Sequence, residues 1–317
     1  MTQNEPSINR LALAISSCDQ VCTANENSSH PCNSVVKWQV DEWGGDIDRI
    51  EGSSMHRPEA WTGNLTSAPI IFLASNPSFN STENFPTWDS SKWTDDEITD
   101  FGVNRFTTEI SRKYGATQSN SLEKQDRTIG LDGSLSDKVE YWVWVRRYAA
   151  LILGKELQDV SAVEDYVMTE LVHCKSPSEQ GVMQALQTCS EKWFEKIMME
   201  SSSKLVFVAG AKAGEAFARI YHHQLPETWG CWSNSAVGRG KGFWPKSKDA
   251  LETAIENKHW NLEHQLKNTT EIMIGGKKRL AIYIARPNRG ASIYAPWVHP
   301  NLISSKLINY WQEYLAG

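Results

Sequence analysis

The apolar run from Pro69 to Ala74, reading PIIFLA, constrains this chain more than any other stretch. It is too short for a helix, too apolar for a loop, and rich in β-branched and aromatic side chains, so it reads as a strand buried on both faces. Such a strand belongs inside a parallel sheet covered by helices, because only there does neither face meet water. It ends in Ser75, Asn76, Pro77 and Ser78, where proline cannot donate to a ladder and the small polar residues favour a turn. In an α/β sheet that turn lies at the carboxyl edge of the strands, where ligands bind. The sequence therefore aims one amide, Asn76, into a candidate site, although a turn-former with no further role would look the same.

Three more runs of this kind, Tyr166 to Val172, Leu205 to Ala209 and Leu280 to Ala285, predict further strands. Helical periodicity predicts helices over 8–21, 94–114, 137–153, 179–200, 211–222, 249–265 and 301–315. Thr94 with Glu97 makes a capping box for the second of these, and Gly154 stops the third. The expected fold is α/β, a three-layer α/β/α domain with a central four-stranded parallel sheet. Residues 1–317 read as one domain, with 1–57 an amino-terminal helical region and 223–279 an insertion. The insertion holds the basic run Gly238 to Lys248, a phosphate grip or a solvated surface loop.

Net charge is −6, so no positive field surrounds the whole protein, and contact with nucleic acid would need a local basic patch. The 14 tryptophans collect outside the predicted strands, where they can stack on bases or anchor long loops. No apolar run approaches the ~20 residues of a membrane span, and the amino terminus is polar, so the expectation is a cytoplasmic protein with no membrane partner. In a reducing cytosol the six cysteines, at 18, 22, 32, 174, 189 and 231, suit metal binding better than disulfides. The lack of a P-loop or dinucleotide glycine fingerprint argues against a nucleotide-binding α/β protein.

With the turns placed after the strands, the chain resembles the uracil-DNA glycosylase superfamily. Ala74-Ser75-Asn76-Pro77-Ser78 resembles its first strand-end motif, and Thr169-Glu170-Leu171-Val172-His173-Cys174 its second. Val208, Ala209, Gly210 and Ala213 resemble the third. Arg286-Pro287-Asn288, continued by Arg289 and Gly290, resembles the last, for which His299 in VHPN offers a second match. Asn104-Arg105-Phe106 resembles a helix motif of some branches. The likeness spans about 58 to 301 in the right order.

The resemblance implies site residues and a cofactor. Its iron-sulfur branches imply a 4Fe-4S cluster on Cys18, Cys22, Cys174 and Cys189. A local zinc site on Cys18, Cys22, His30 and Cys32, and buried free thiols, stay open as alternatives. Asn76 would hold the attacking water, Arg286 and Asn288 would stabilise the departing base, and Ser75, Ser78 and Arg289 would line the site. Phe79 or Phe85 would be the wall on which a flipped base stacks.

Two departures bear on the substrate: Glu170 stands where the superfamily has a uracil-reading Asn, and Arg286 where it has His. An ionised carboxylate only accepts hydrogen bonds, so Glu170 suits the 4-amino group of cytosine and repels the 4-oxo group of uracil. A neutral Glu170 could also donate to ring N3, and one pointing elsewhere would merely cap a backbone group. The resemblance extends to anti-phage glycosylases that remove glucosylated 5-hydroxymethylcytosine, so double-stranded, modified DNA is the expected partner, with no protein partner evident. The alternatives are uracil repair and a base-flipping reader that cuts nothing.

Overall fold

All four apolar runs form strands in the computed structural model, which describes residues 5–42, 53–106, 113, 126–227, 229, 266, 268–284 and 303–317. The strands are β1 (Trp61–Thr62), β2 (Ile70–Ala74), β3 (Tyr166–Glu170), β4 (Leu205–Ala209), β5 (Thr269–Ile274) and β6 (Lys277–Ile284). They form one sheet in the order β1-β3-β2-β4-β6-β5. Strands β3, β2, β4 and β6 run parallel, while β1 and β5 pair antiparallel at the edges. The fold is thus mixed α/β with a mixed sheet of six strands rather than the four expected. The two missed strands carry little signal: β1 has two residues, too few for a period, and β5 is half exposed. What places β5 is the Gly275-Gly276 turn, where φ values of 57° and 71° make the tight hairpin that glycines permit.

Alternate residues of each central strand enter opposite cores. Ile71, Leu73, Val206 and Val208 face one apolar cluster; Ile70, Phe72, Leu205 and Phe207 face another. The first cluster is covered by α1 (Glu5–Ser16), α2 (Asp19–Glu26), α3 (Asn33–Glu42), α6 (Val182–Cys189), α7 (Glu195–Glu200) and α8 (Ala211–Ile220). The second is covered by α5 (Glu140–Leu153) and α9 (Ser305–Ala316), while α4 (Asp95–Asn104) forms a smaller cluster with Phe85 and Trp93. The Thr94/Glu97 capping box forms, and Gly154 ends α5 in the left-handed conformation. The helix expected over 8–21 divides into α1 and α2 at Ser17 and Cys18. The one expected over 179–200 becomes α6 and α7, joined by a π-helical turn over Ser190–Phe194. The helix expected over 249–265 and the basic run in the insertion lie outside the described residues. No described helix is long and apolar enough to cross a membrane.

The β5–β6 hairpin is fastened to the end of α7 by cations. Arg279, wholly buried, donates to the carbonyls of Met198, Ser201, Ser203 and Ile274, and Lys277 donates to Met199 and Ser201. These carbonyls include the unsatisfied end of the helix, so positive donors both complete their hydrogen bonding and oppose its dipole. The turn sits tight against the same place: a Cβ on Gly275 would lie 2.4 Å from the Met198 carbonyl carbon, whereas one on Gly276 would meet nothing within 4 Å. Gly276→Ala should therefore cost about 1 kcal/mol, the left-handed backbone penalty alone. Gly275→Ala should cost about 1–3 kcal/mol more, the penalty for overpacking. Urea titration of the two variants checks this; equal losses would show that the hairpin is not seated on α7.

Candidate functional site

Asn76 and Glu170 are brought together by register. Ala74 at the end of β2 pairs with Glu170 at the end of β3. The two chains then stay together beyond the sheet, through Leu171 N to Ala74 O at 3.0 Å, Val172 N to Ser75 O at 3.0 Å and Ser176 N to Pro77 O at 3.2 Å. The Asn76 amide nitrogen donates to Ser176 Oγ at 2.9 Å and Pro77 O at 3.0 Å, with the carbonyls of Cys174 and Ser176 each at 3.4 Å. The N–H end of the amide is therefore spent on the neighbouring loop, which leaves the carbonyl end to accept.

Asn76, Ser78 and Glu170 line a cavity of about 250 Å³, together with Glu59, Glu83, Arg105, Lys175, Met168, Tyr141 and Trp142. Its floor is ionic. Arg105 Nη1 lies 2.8 Å from Glu59, and Nη2 bonds Glu83; Lys175 Nζ lies 3.1 Å from Glu59 and 3.6 Å from Glu83. All four are buried or nearly so, Lys175 at 1% exposure. Burial pushes the Glu59 carboxyl up, but the charges of Lys175 and Arg105 outweigh it and hold Glu59 down at about 2. Burial likewise works against charge on Arg105, and the carboxylates of Glu83, Glu59 and Glu170 outweigh it, so its pKa rises. Lys175 also lies 3.6 Å over the Phe85 ring and Arg105 4.8 Å over that of Trp142.

The remaining expected residues divide. Phe85 is buried beneath Lys175 and Arg105, and Phe79 packs against Trp38 and His56; neither ring is among the residues that line this cavity. The aromatic lining comes from Tyr141 and Trp142 in the first turn of α5. Ser75 is buried, and its hydroxyl donates to Glu179, which pairs with Lys212. Arg286, Asn288 and Arg289 lie outside the described residues, as does His299. Sequence reasoning missed Glu59, Glu83 and Lys175 as site residues, and no local pattern marks them.

Four cysteines converge on the other side of the same loop. Cys18, Cys32, Cys174 and Cys189 line one small cavity with Lys192 and Trp193. Cys22 is not among its lining residues, and its charge is felt at Arg57 instead. Three of the four expected residues, Cys18, Cys174 and Cys189, thus line this cavity; the chain turns back after α2, where Asn33 Nδ2 bonds Ala24 O at 2.7 Å, and Cys32 lines it as well. The π-helical turn after Cys189 adds a residue to that turn and carries Lys192 to Asp19 and Trp193 to a hydrogen bond with Cys18. The His173 backbone N–H donates to Cys189. Burial and then the neighbouring thiols push Cys189 up to about 12; burial and then Cys18 push Cys32 to about 11.

Thiols gathered this closely need a polycation to ionise together, and N–H donors to sulfur are the surroundings of a cluster ligand. The donor set fits an iron-sulfur cluster. His30, the nitrogen ligand of the zinc alternative, is turned to other partners: Nδ1 accepts from Cys32 N at 3.1 Å and Nε2 faces Gln20 at 3.1 Å. Among the described residues no three His, Cys, Asp or Glu side chains close on a single ion. Protein purified without air should carry iron and a brown absorbance that Cys32→Ser abolishes and Cys22→Ser leaves in place. Retention in the first variant and loss in the second would restore Cys22 as the ligand.

Beneath the site lie two histidines held neutral. Burial lowers His173 from 6.5 to about 4, and its Nδ1 donates to Glu59 O at 2.7 Å; burial, then Lys175 and Arg105, lower His56 from 6.5 to about 3. Between those values and 6.5 the unfolded chain binds protons that the folded chain refuses, so their contribution is complete above pH 6.5 and is lost as pH falls toward 4. The unfolding free energy should be flat near neutrality and fall by roughly 1.4 kcal/mol per pH unit for each histidine below it. Denaturant titrations across that range measure the slope; a flat profile would show that the histidines are charged in the fold.

Compared with protein-family models, curated proteins and solved structures, the chain matches none.

Proposed function

We propose that this chain is a DNA glycosylase of uracil-DNA-glycosylase-like three-layer α/β/α architecture, its four parallel strands forming the core. It flips a 5-substituted cytosine, glucosylated hydroxymethylcytosine of phage DNA, from double-stranded DNA and hydrolyses its N-glycosyl bond. The observation that carries this reading is that Asn76 and Glu170, one from each of two adjacent strand ends, line one cavity of nucleobase dimensions. The Asn76 carbonyl accepts from a water and holds it against C1′ of the flipped nucleotide. Glu170 accepts from the 4-amino group of the base, and the rings of Tyr141 and Trp142 supply its stacking surface. An amide is too weak a base to ionise water, so the acceleration rests on stabilising the leaving base and an oxocarbenium-like sugar. An iron-sulfur cluster held by Cys18, Cys32, Cys174 and Cys189 would tie the amino-terminal helices to the loop after β3. Arg286 and Asn288 keep the roles that the resemblance implies, and a cytoplasmic site of action follows from the same reading.

The weakness of Asn76 as a base favours one second reading, a reader that flips modified bases without cutting them. Duplexes carrying uracil, cytosine, hydroxymethylcytosine or its glucosylated form, treated with protein and then alkali, separate the two. Strand scission is expected with the glucosylated base, and Asn76→Ala should lower its rate about 10²–10³-fold, as for loss of one group acting on the transition state. Glu170→Asn should move activity toward uracil. Scission at uracil alone by the unaltered protein would overturn the substrate, and tight binding without scission would establish the reader.

A further inference from the structure

Burial divides the residues that line the cavity into two ends. Asn76, Met168, Glu170 and the ion quartet are buried or nearly so, while Asn80 and Asp137 are exposed and Thr128 and Ser136 half-buried. The inner end is where the glycosylase reading puts base and water. The outer end, from the loop after β2 and the stretch ahead of α5, has no part in that reading. This stretch is a hairpin of fixed geometry. Ser136 N donates to Thr128 O at 3.0 Å, Thr128 N to Ser136 Oγ at 2.9 Å, and Gly133 N closes the turn on Gly130 O at 3.0 Å. Two bonds of 2.8 Å, Asn84 N to Ile129 O and Leu131 N to Thr82 O, sew the hairpin to the loop after β2. At its base Asp126 pairs with Arg146 of α5, and the Asp126 carbonyl accepts from Val139 N at 2.7 Å.

The polar groups at the outer end form a set. Ser136 Oγ is committed, accepting from Thr128 N and donating to Asp137 O at 2.7 Å, and Asn80 Oδ1 accepts from Thr82. Among the described residues no hydrogen bond engages Thr128 Oγ1, the Asp137 carboxylate or Asn80 Nδ2. A hydroxyl that gives or takes, a carboxylate that takes twice and an amide that gives match the neighbouring hydroxyls of a sugar, each of which both donates and accepts. Asp137 also decides against the other group that DNA brings to a cavity mouth, because a carboxylate repels phosphate. We propose that the outer end is a hexose subsite, in which Asp137, Thr128 and Asn80 hold the glucose carried on C5 of the flipped cytosine. This inference rests on the glycosylase reading and names the residues that select its sugar. With the 4-amino group on Glu170 and the quartet closing the floor, a bulky group on the neighbouring C5 has the mouth to enter, and there the hairpin meets it. A substrate without the sugar forgoes these hydrogen bonds, so selection falls on the hexose as well as on the base.

Duplexes carrying 5-hydroxymethylcytosine, bare or glucosylated as either anomer, test this by cleavage, and by binding when the base sits on uncleavable 2′-fluoroarabinose. The unaltered protein should prefer a glucosylated duplex about 10²-fold, the worth of two hydrogen bonds. The ratio of glucosylated to bare substrate cancels any general loss in a variant. Thr128→Val and Asp137→Asn, both nearly unchanged in shape, should each lower that ratio about tenfold. Glu140→Gln removes the same charge in the first turn of α5, outside the cavity lining, and should leave the ratio intact. A ratio near one in the unaltered protein, or one that both subsite variants leave unchanged, would overturn the subsite, while scission of the bare duplex would still uphold the glycosylase reading. A preference for glucose in binding, with no duplex cut, would uphold the subsite and overturn the glycosylase reading. An equal loss in these variants on bare, glucosylated and unmodified DNA would mark a contact to the DNA backbone and overturn the subsite.

Discussion

The ion quartet of Glu59, Glu83, Arg105 and Lys175 is the interaction on which the rest of the site depends. Its members come from four separate places: the approach to β1, the loop after β2, the end of α4 and the loop after β3. Hydrophobic burial fixes that the helices cover the sheet, but it does not say where loops lie across the strand ends. Each carboxylate here must find both cations or pay the desolvation of a buried ion, so four loops have one low-energy arrangement. Such a quartet adds little net stability over apolar residues of the same volume, and its value lies in fixing geometry. The rings around it, Phe85 under Lys175 and Trp142 beside Arg105, exclude the water that would loosen it.

The parts that were legible in the sequence follow from local physics. The strand runs are short and apolar because both their faces are buried, and β2 and β4 appear where the periodicity puts them. Thr94 and Gly154 mark helix ends because their chemistry there is local. Pairing Asn76 with Glu170 was also legible, since parallel strands in register deliver their end residues side by side. What could not be read was set by long-range partners. Glu83 and Lys175 look like ordinary surface charges until Arg105 and Glu59 are brought to them. Phe85 looks like a stacking platform, and it is buried because two cations need its face. Cys32 stands ten residues beyond Cys22 and differs from it only in where the chain turns after α2, which spacing does not record.

The segment from His173 to Ser176 joins the cysteine site to the cavity, one residue for each task. His173 holds the Glu59 backbone from both sides, donating from Nδ1 and accepting at its carbonyl from Glu59 N at 2.9 Å. Cys174 faces the other thiols, Lys175 enters the quartet, and Ser176 bonds the Asn76 amide at 2.9 Å. Gln39 of α3 donates to the Lys175 carbonyl at 3.2 Å, so the amino-terminal helices also grip this loop directly. Cys174 lines the cysteine cavity and Lys175 the ionic one, so two neighbouring residues of this loop serve two sites with one peptide bond between them. A shift of the Cys174 backbone must therefore move the Lys175 ammonium and the Asn76 carbonyl together. The cysteine cavity then bears on the other cavity through position alone: it fixes the loop, and the loop fixes the amide and the ammonium.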